Sequence, residues 1–220
     1  MFKQVKQVAI ALAAMVTMSA PAMAATIIDF RNGATLASGS ITFDGTNVIG
    51  SNSPIGTVEI FGAPRNNGSF TVTGTLANSG AASGTAGDLD FNTRTGVVTL
   101  TGCIAQLGVG LTVDGVCTRP VALLSGTLTG FDVNAPRGRV LLEGLDTKSA
   151  ELLIAIGLSP NTPFVMDTFQ LLTGSLNPNG TPASSISTDV RNVAVPEPAT
   201  MMLLGTGLLA AFRARRRQTA

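Results

Sequence analysis

Ser69-Phe70-Thr71-Val72-Thr73-Gly74-Thr75-Leu76 alternates apolar and hydroxyl-bearing side chains. Phe70, Val72 and Leu76 fall on one side of a two-residue period; Thr71, Thr73 and Thr75 fall on the other. That is the period of a strand with one buried face. Working outward, Asp88–Phe91 and Gly96–Cys103 read as a hairpin turning at Asn92-Thr93-Arg94-Thr95-Gly96. Further strands are expected at Thr26–Phe30, Ser40–Phe43, Thr57–Phe61, Ala122–Val133, Arg139–Glu143 and Thr168–Leu176. Turn signals such as Asn66-Asn67-Gly68 and Asn177-Pro178-Asn179-Gly180 punctuate them. One helix is expected over about Thr147–Ile156, stopped by Gly157 and Pro160, although the same residues also suit a buried strand. Many short strands with frequent turns predict a mainly β body, an antiparallel β-sandwich or jelly-roll-like fold.

One internal echo points elsewhere. Thr-x-Thr-Gly occurs at Thr71–Gly74, Thr99–Gly102 and Thr127–Gly130, spaced by 28 residues each time. A repeat of that period is also what one coil of a β-solenoid would give, with threonines stacked in a flat ladder suited to ice or a regular polysaccharide. Thr and Gly are abundant throughout, and the residues around each echo match poorly, so the solenoid is the alternative.

The two ends differ from the body. Lys3 and Lys6 precede an apolar run at Val8–Met18, and Ala22-Met23-Ala24 then supplies the small-x-small pattern of a signal-peptidase site, with Ala22 and Ala24 as its small residues. Cleavage after Ala24 leaves a body of 25–194, long enough for one domain with a core of its own. At the other end Met201–Phe212 is apolar, and Arg213, Arg215, Arg216 and Arg217 follow. Counted from Ala199, the fourteen-residue run is about 21 Å long as a helix, against about 30 Å of bilayer hydrocarbon. The arginines can snorkel, and they set the C-terminus on the cytoplasmic side. Pro196 and Pro198 keep the chain extended just before the run.

The order Val195-Pro196-Glu197-Pro198-Ala199-Thr200, then an apolar segment, then an arginine cluster at the extreme C-terminus resembles the PEP-CTERM sorting signal. The resemblance covers about 25 of the 220 residues. It implies recognition of Pro196, Glu197 and Pro198 by an exosortase, an inner-membrane cysteine transpeptidase-like enzyme. It further implies removal of the tail, with release or attachment at the cell surface and an association with exopolysaccharide and biofilm. The expected organisation is therefore a signal peptide at 1–24, an exported body at 25–194 and a sorting signal at 195–220 with a transmembrane helix and an Arg-rich cytoplasmic end. The expected partners are signal peptidase, exosortase and, transiently, the inner membrane. Exopolysaccharide or matrix proteins would follow.

Composition narrows what the body does. Taking both ends away leaves eight basic against twelve acidic residues, a net charge near −4 that offers nothing to nucleic acid. The chain has no His, which removes Ser-His-Asp and Cys-His catalysis and most zinc sites. No phosphate-binding loop, dinucleotide fingerprint or GxSxG elbow occurs. Asp88-x-Asp90-x-Asn92 opens like a calcium loop but has Thr93 where Gly is needed and no closing Glu, so solvated strand polarity is the better reading and no metal or cofactor is expected. Phe is the only aromatic type, which weakens a lectin reading. Asn67-Gly68-Ser69 matches a glycosylation sequon by coincidence. In an exported chain, Cys103 and Cys117 default to a disulfide, closing a loop of about 15 residues for roughly 3 kcal/mol. The expectation is a non-enzymatic, structural or adhesive surface or matrix protein. A carbohydrate- or ice-binding module using the threonine face is the alternative, and a secreted polysaccharide-acting enzyme built on paired carboxylates the third.

Overall fold

Every strand pairing among the described residues is antiparallel, and the sheet they build closes on itself. The computed structural model describes residues 25–32, 39–74, 76–77, 85–195 and 207. Ala25–Val195 forms one unit. Its strands are β1 (Ile27–Arg31), β2 (Ser40–Phe43), β3 (Val48–Ile55), β4 (Thr57–Phe61), β5 (Gly68–Thr71), β6 (Leu76–Ala77) and β7 (Thr85–Asn92) in the first half. The second half holds β8 (Val97–Gly102), β9 (Leu111–Val113), β10 (Val116–Arg119), β11 (Val121–Asn134), β12 (Arg139–Lys148), β13 (Phe164–Thr173) and β14 (Ala183–Ala194), with helix α1 (Ala150–Ala155) between β12 and β13.

Eight strands form a barrel in the order β14-β13-β12-β11-β8-β7-β3-β2. The ring closes where Ala183 and Ser184 of β14 pair with Ile41 and Ser40 of β2. The rest of that edge of β14 pairs with β1, and β4 and β5 continue outward from β1. This corrects the expected sandwich or jelly roll: one sheet curls onto itself instead of two sheets stacking. Closure needs strongly bent strands. Bulges interrupt β3 at Gly50/Ser53, β11 at Leu128/Gly130 and β13 at Met166/Thr168, the last also shifting the pairing with β12 between Leu142 and Gly144, and each adds twist. The glycine at position 50 is required by packing, since a Cβ there would overlap the Phe91 ring.

The solenoid is overturned too. Thr99–Gly102 lies in β8 and Thr127–Gly130 in β11, but these strands run antiparallel, with Thr127 opposite Val97. Stacked coils would need parallel neighbours in register.

The interior is filled by side chains from alternate positions. Ile28, Phe30, Leu100, Leu124, Phe164 and Val190 are each 1% exposed or less. Phe91 and Phe169 meet edge to face, their centroids 5.5 Å apart. The expected alternation at 69–76 holds at Phe70 and Val72, which face the core, against exposed Thr71. The strand is cut short, however. Gly74 lies so close to the Ala86 carbonyl that no side chain fits, and β5 stops at Thr71. The expected helix at 147–156 is present but shorter, because β12 runs on through Lys148. Ser149 then caps α1, its Oγ accepting from the Leu152 N–H at 3.1 Å. Cys103 and Cys117 form a disulfide that ties the end of β8 to the β9–β10 hairpin. Among the described residues no helix is long and apolar enough to cross a membrane. The expected leader at 1–24 and, apart from Gly207, the apolar segment from Ala199 to Phe212 lie outside the described residues.

Candidate functional site

The barrel is followed in sequence by the expected sorting tail, so the site of interest is where the chain enters and leaves the barrel. β1 begins at Ile27 and β14 ends at Ala194, and the two are antiparallel neighbours with Ile27 opposite Val193. The backbone N–H of Ala194 donates to the Thr26 carbonyl at 2.9 Å, and that of Val195 donates to Pro163 at 2.9 Å. The Thr26 hydroxyl donates to the Gly62 carbonyl at 3.2 Å. Folded structure therefore holds the chain up to the residue before Pro196 and from the residue after Ala25. Pro196, Glu197, Pro198, Arg213, Arg215, Arg216, Arg217, Ala22 and Ala24 all lie outside the described residues.

Residues 194–217 match the PEP-CTERM protein-sorting motif. No curated protein and no solved structure matches the chain. The motif supports an exported protein sorted by an exosortase, which is the processing partner it implies. Its first two residues, Ala194 and Val195, are hydrogen-bonded into the barrel, so the matched segment begins within the fold.

Two ionisable clusters flank this junction, and the sequence reading singled out neither. On the outer surface, Asp29 of β1 lies beside Asp189 of β14. Burial pushes the Asp189 carboxyl up to about 6, and a hydrogen bond shared with Asp29 and the Asp29 charge add to it, while Arg31 and Arg191 pull the other way. Below about pH 6 Asp189 therefore carries a proton, which it loses as pH rises through that value. Asp29 is 3% exposed and is held by the Arg31 guanidinium at 2.5 and 2.9 Å. Arg31 also reaches Glu59 of β4 at 3.0 Å, so the cluster stitches three strands together.

Inside the barrel, Lys148 pairs with Asp146 two residues earlier on the same inward face of β12. Both side chains are fully enclosed. The Lys148 amine stands 5.7 Å from the Phe30 ring centre and 5.1 Å from that of Phe164. Burial pushes the Lys148 amine well below the ordinary lysine range. A signal was available in the sequence: Lys148 is the one lysine of the body, set in the alternation Leu142, Gly144, Asp146, Lys148.

The other sequence candidates find ordinary roles. Asp90 Oδ1 accepts from the Asn52 N–H at 2.9 Å, and Asn92 Oδ1 accepts from the Arg94 N–H at 2.9 Å, closing the β7–β8 turn. Burial, then the neighbouring Asp90 charge, raises the Asp88 carboxyl. Among the described residues no group of three or more His, Cys, Asp or Glu is placed to hold a metal.

Proposed function

We propose that the protein is a structural or adhesive component of the cell surface or extracellular matrix. On this reading it is anchored in the inner membrane first and freed or attached by exosortase processing at Pro196–Pro198, then makes contacts with exopolysaccharide or matrix proteins. The observation that carries the reading is the PEP-CTERM match beginning at Ala194 and Val195, both hydrogen-bonded into a filled barrel. A body whose interior is packed side chain to side chain is suited to persist outside the cell and to work through its surface. Intact mass and fractionation, with and without the exosortase, test it. A species starting near Ala25 and lacking the tail, found outside the cell only with exosortase present, is expected. A full tail retained in the inner membrane in both strains would reduce Pro196–Pro198 to part of an ordinary anchor.

One observation favours a second reading, a carbohydrate- or ice-binding surface. Asp90, Thr99, Ser125 and Thr147 face outward in register across β7, β8, β11 and β12. They run beside a shallow groove of about 360 Å³ bordered by Ser125, Thr127 and Thr147. Strand spacing of about 4.8 Å makes such a row a regular polar comb for a hydroxyl-rich ligand. Glycan binding or ice recrystallisation inhibition that survives Thr99→Leu with Thr147→Leu would discard this reading.

A further inference from the structure

The strand register shows an uncharged collar around the junction. Phe61 of β4, Ile27 of β1, Val193 of β14, Val165 of β13 and Leu145 of β12 are directly opposed in one outward-facing row. Phe61 is 47% exposed and Leu145 61%. One step of the pleat nearer the chain ends, the same face carries Ala25, Val195 and Pro163, again without charge. Ile154 of α1, 59% exposed, belongs to the same end, since α1 hands its Ala155 and Ile156 carbonyls to Asn66 Nδ2 and the Arg65 N–H just past β4. One pleat step further from the chain ends the character changes: Glu59, Asp29 and Arg191 are opposed, with Asp167 paired to Arg191 at 3.6 Å.

An apolar row spanning five strands, bounded on one side by a charged row, is larger than the scattered exposed apolar residues of an ordinary surface and marks a contact face. The chain itself names the occupant. Four residues lead from Val195 to Ala199, where the apolar run of the tail begins, about 13 Å when fully extended. The collar is thus tethered within about two headgroup layers of the hydrocarbon of any bilayer that takes up that run.

We propose that the collar formed by Phe61, Ile27, Val193, Val165 and Leu145 is a lipid-contacting face, which seats the barrel on the periplasmic surface of the inner membrane while the tail is still attached. It rests on the reading of the protein as a membrane-anchored precursor. Shallow insertion of Leu145, Phe61 and Ile154 removes apolar surface from water, and the charged row stops at the headgroups, as in interfacial segments generally. Seating fixes the height of Pro196–Pro198 at the membrane face. Once the tail is removed, nothing holds the collar there but its own modest area, so processing and release are coupled.

The test uses the full chain in inner-membrane vesicles from cells lacking the exosortase. A photoreactive phenylalanine analogue is placed at Phe61, at Leu145 or, as the control, at Ile186 on the same barrel, seven residues before Val193 and 68% exposed. After irradiation, lipid adducts are counted by mass. Adducts at Phe61 and Leu145 at least about five-fold above Ile186 are expected. Equal labelling at all three sites would overturn the collar, as would adducts only to the tail, to a second copy or to another protein. In each of those cases the chain still resists an alkaline wash, so the anchored-precursor reading survives alone. A chain found in the wash supernatant would sink that reading, and the collar with it.

Discussion

Two ionisable pairs lie within a few residues of the same strand junction and are neutralised in opposite ways. Lys148 and Asp146 sit inside the barrel between two phenylalanine rings, where a lone charge is intolerable and the opposite charge is supplied by the protein. Asp189 and Asp29 lie on the outward face of the sheet beside Arg31 and Arg191, and burial and the second carboxylate make Asp189 hold its proton up to about pH 6. A buried site fixes its neutral state by sequence. A half-buried site leaves it to pH.

Breaking the interior pair should have the largest effect. Lys148→Met strands Asp146 in the core and is expected to cost about 3–5 kcal/mol, a drop of roughly 10 °C or more in Tm. Adding Asp146→Leu should recover most of that loss. A double variant as unstable as the single one would show that the pair contributes more than mutual neutralisation. Next in size comes the covalent tie. Cys103→Ser with Cys117→Ser should lower stability by about 3 kcal/mol in denaturant titration, with the barrel's far-UV spectrum retained because β9 and β10 lie outside the closed ring.

The surface pair is sharpened by pH. Asp189 titrates near 6 when folded and near 4 when unfolded, so its contribution is complete below about pH 4 and fades as pH rises through about 6. Asp189→Asn should flatten the fall in stability over that window. Discounted for the partial exposure of the pair, the gain at pH 7 is about 1 kcal/mol, read as a Tm increase of about 2–4 °C. A wild-type stability profile flat from pH 4 to 7 would argue against the shared proton. Asp44 provides the smallest effect and the opposite sign. N–H donors of Asn47 and Thr46, at 2.6 and 2.9 Å, hold its carboxyl down to about 2. Its contribution is present above about pH 4 and disappears as pH falls towards 2. Asp44→Asn should therefore match wild type at pH 2 and fall slightly below it at pH 7.

Strands whose inward positions are plainly apolar were legible in the sequence. Thr26–Phe30, Ser40–Phe43 and Thr57–Phe61 coincide with β1, β2 and β4 to within a residue. β14 was not legible, although it closes the ring, because its buried positions include Ser185, Thr188 and Asn192 and the alternation is hidden. β12 was cut at Glu143 for the same reason, its inward face continuing through Gly144, Asp146 and Lys148. Barrel closure itself depends on bulges and on pairing between the two ends of the chain, neither of which has a local signature. The sorting signal was legible because three physical properties occur there in a fixed order within one short segment. The Cys103–Cys117 bond followed from compartment and number alone. The carboxyl pair at Asp29 and Asp189 was out of reach, since 160 residues separate its members.

The hydrogen bond from Ala194 to Thr26 makes the barrel a cassette. Its entrance and exit are neighbours, so a short Gly-Ser bridge between Val195 and Ala25 would close the chain into a ring without disturbing a strand. New ends opened at the exposed Asp114-Gly115 turn of the β9–β10 hairpin would give a circular permutant with the same interior. Equally, the whole unit can be spliced into a surface loop of another protein as a self-closing insert.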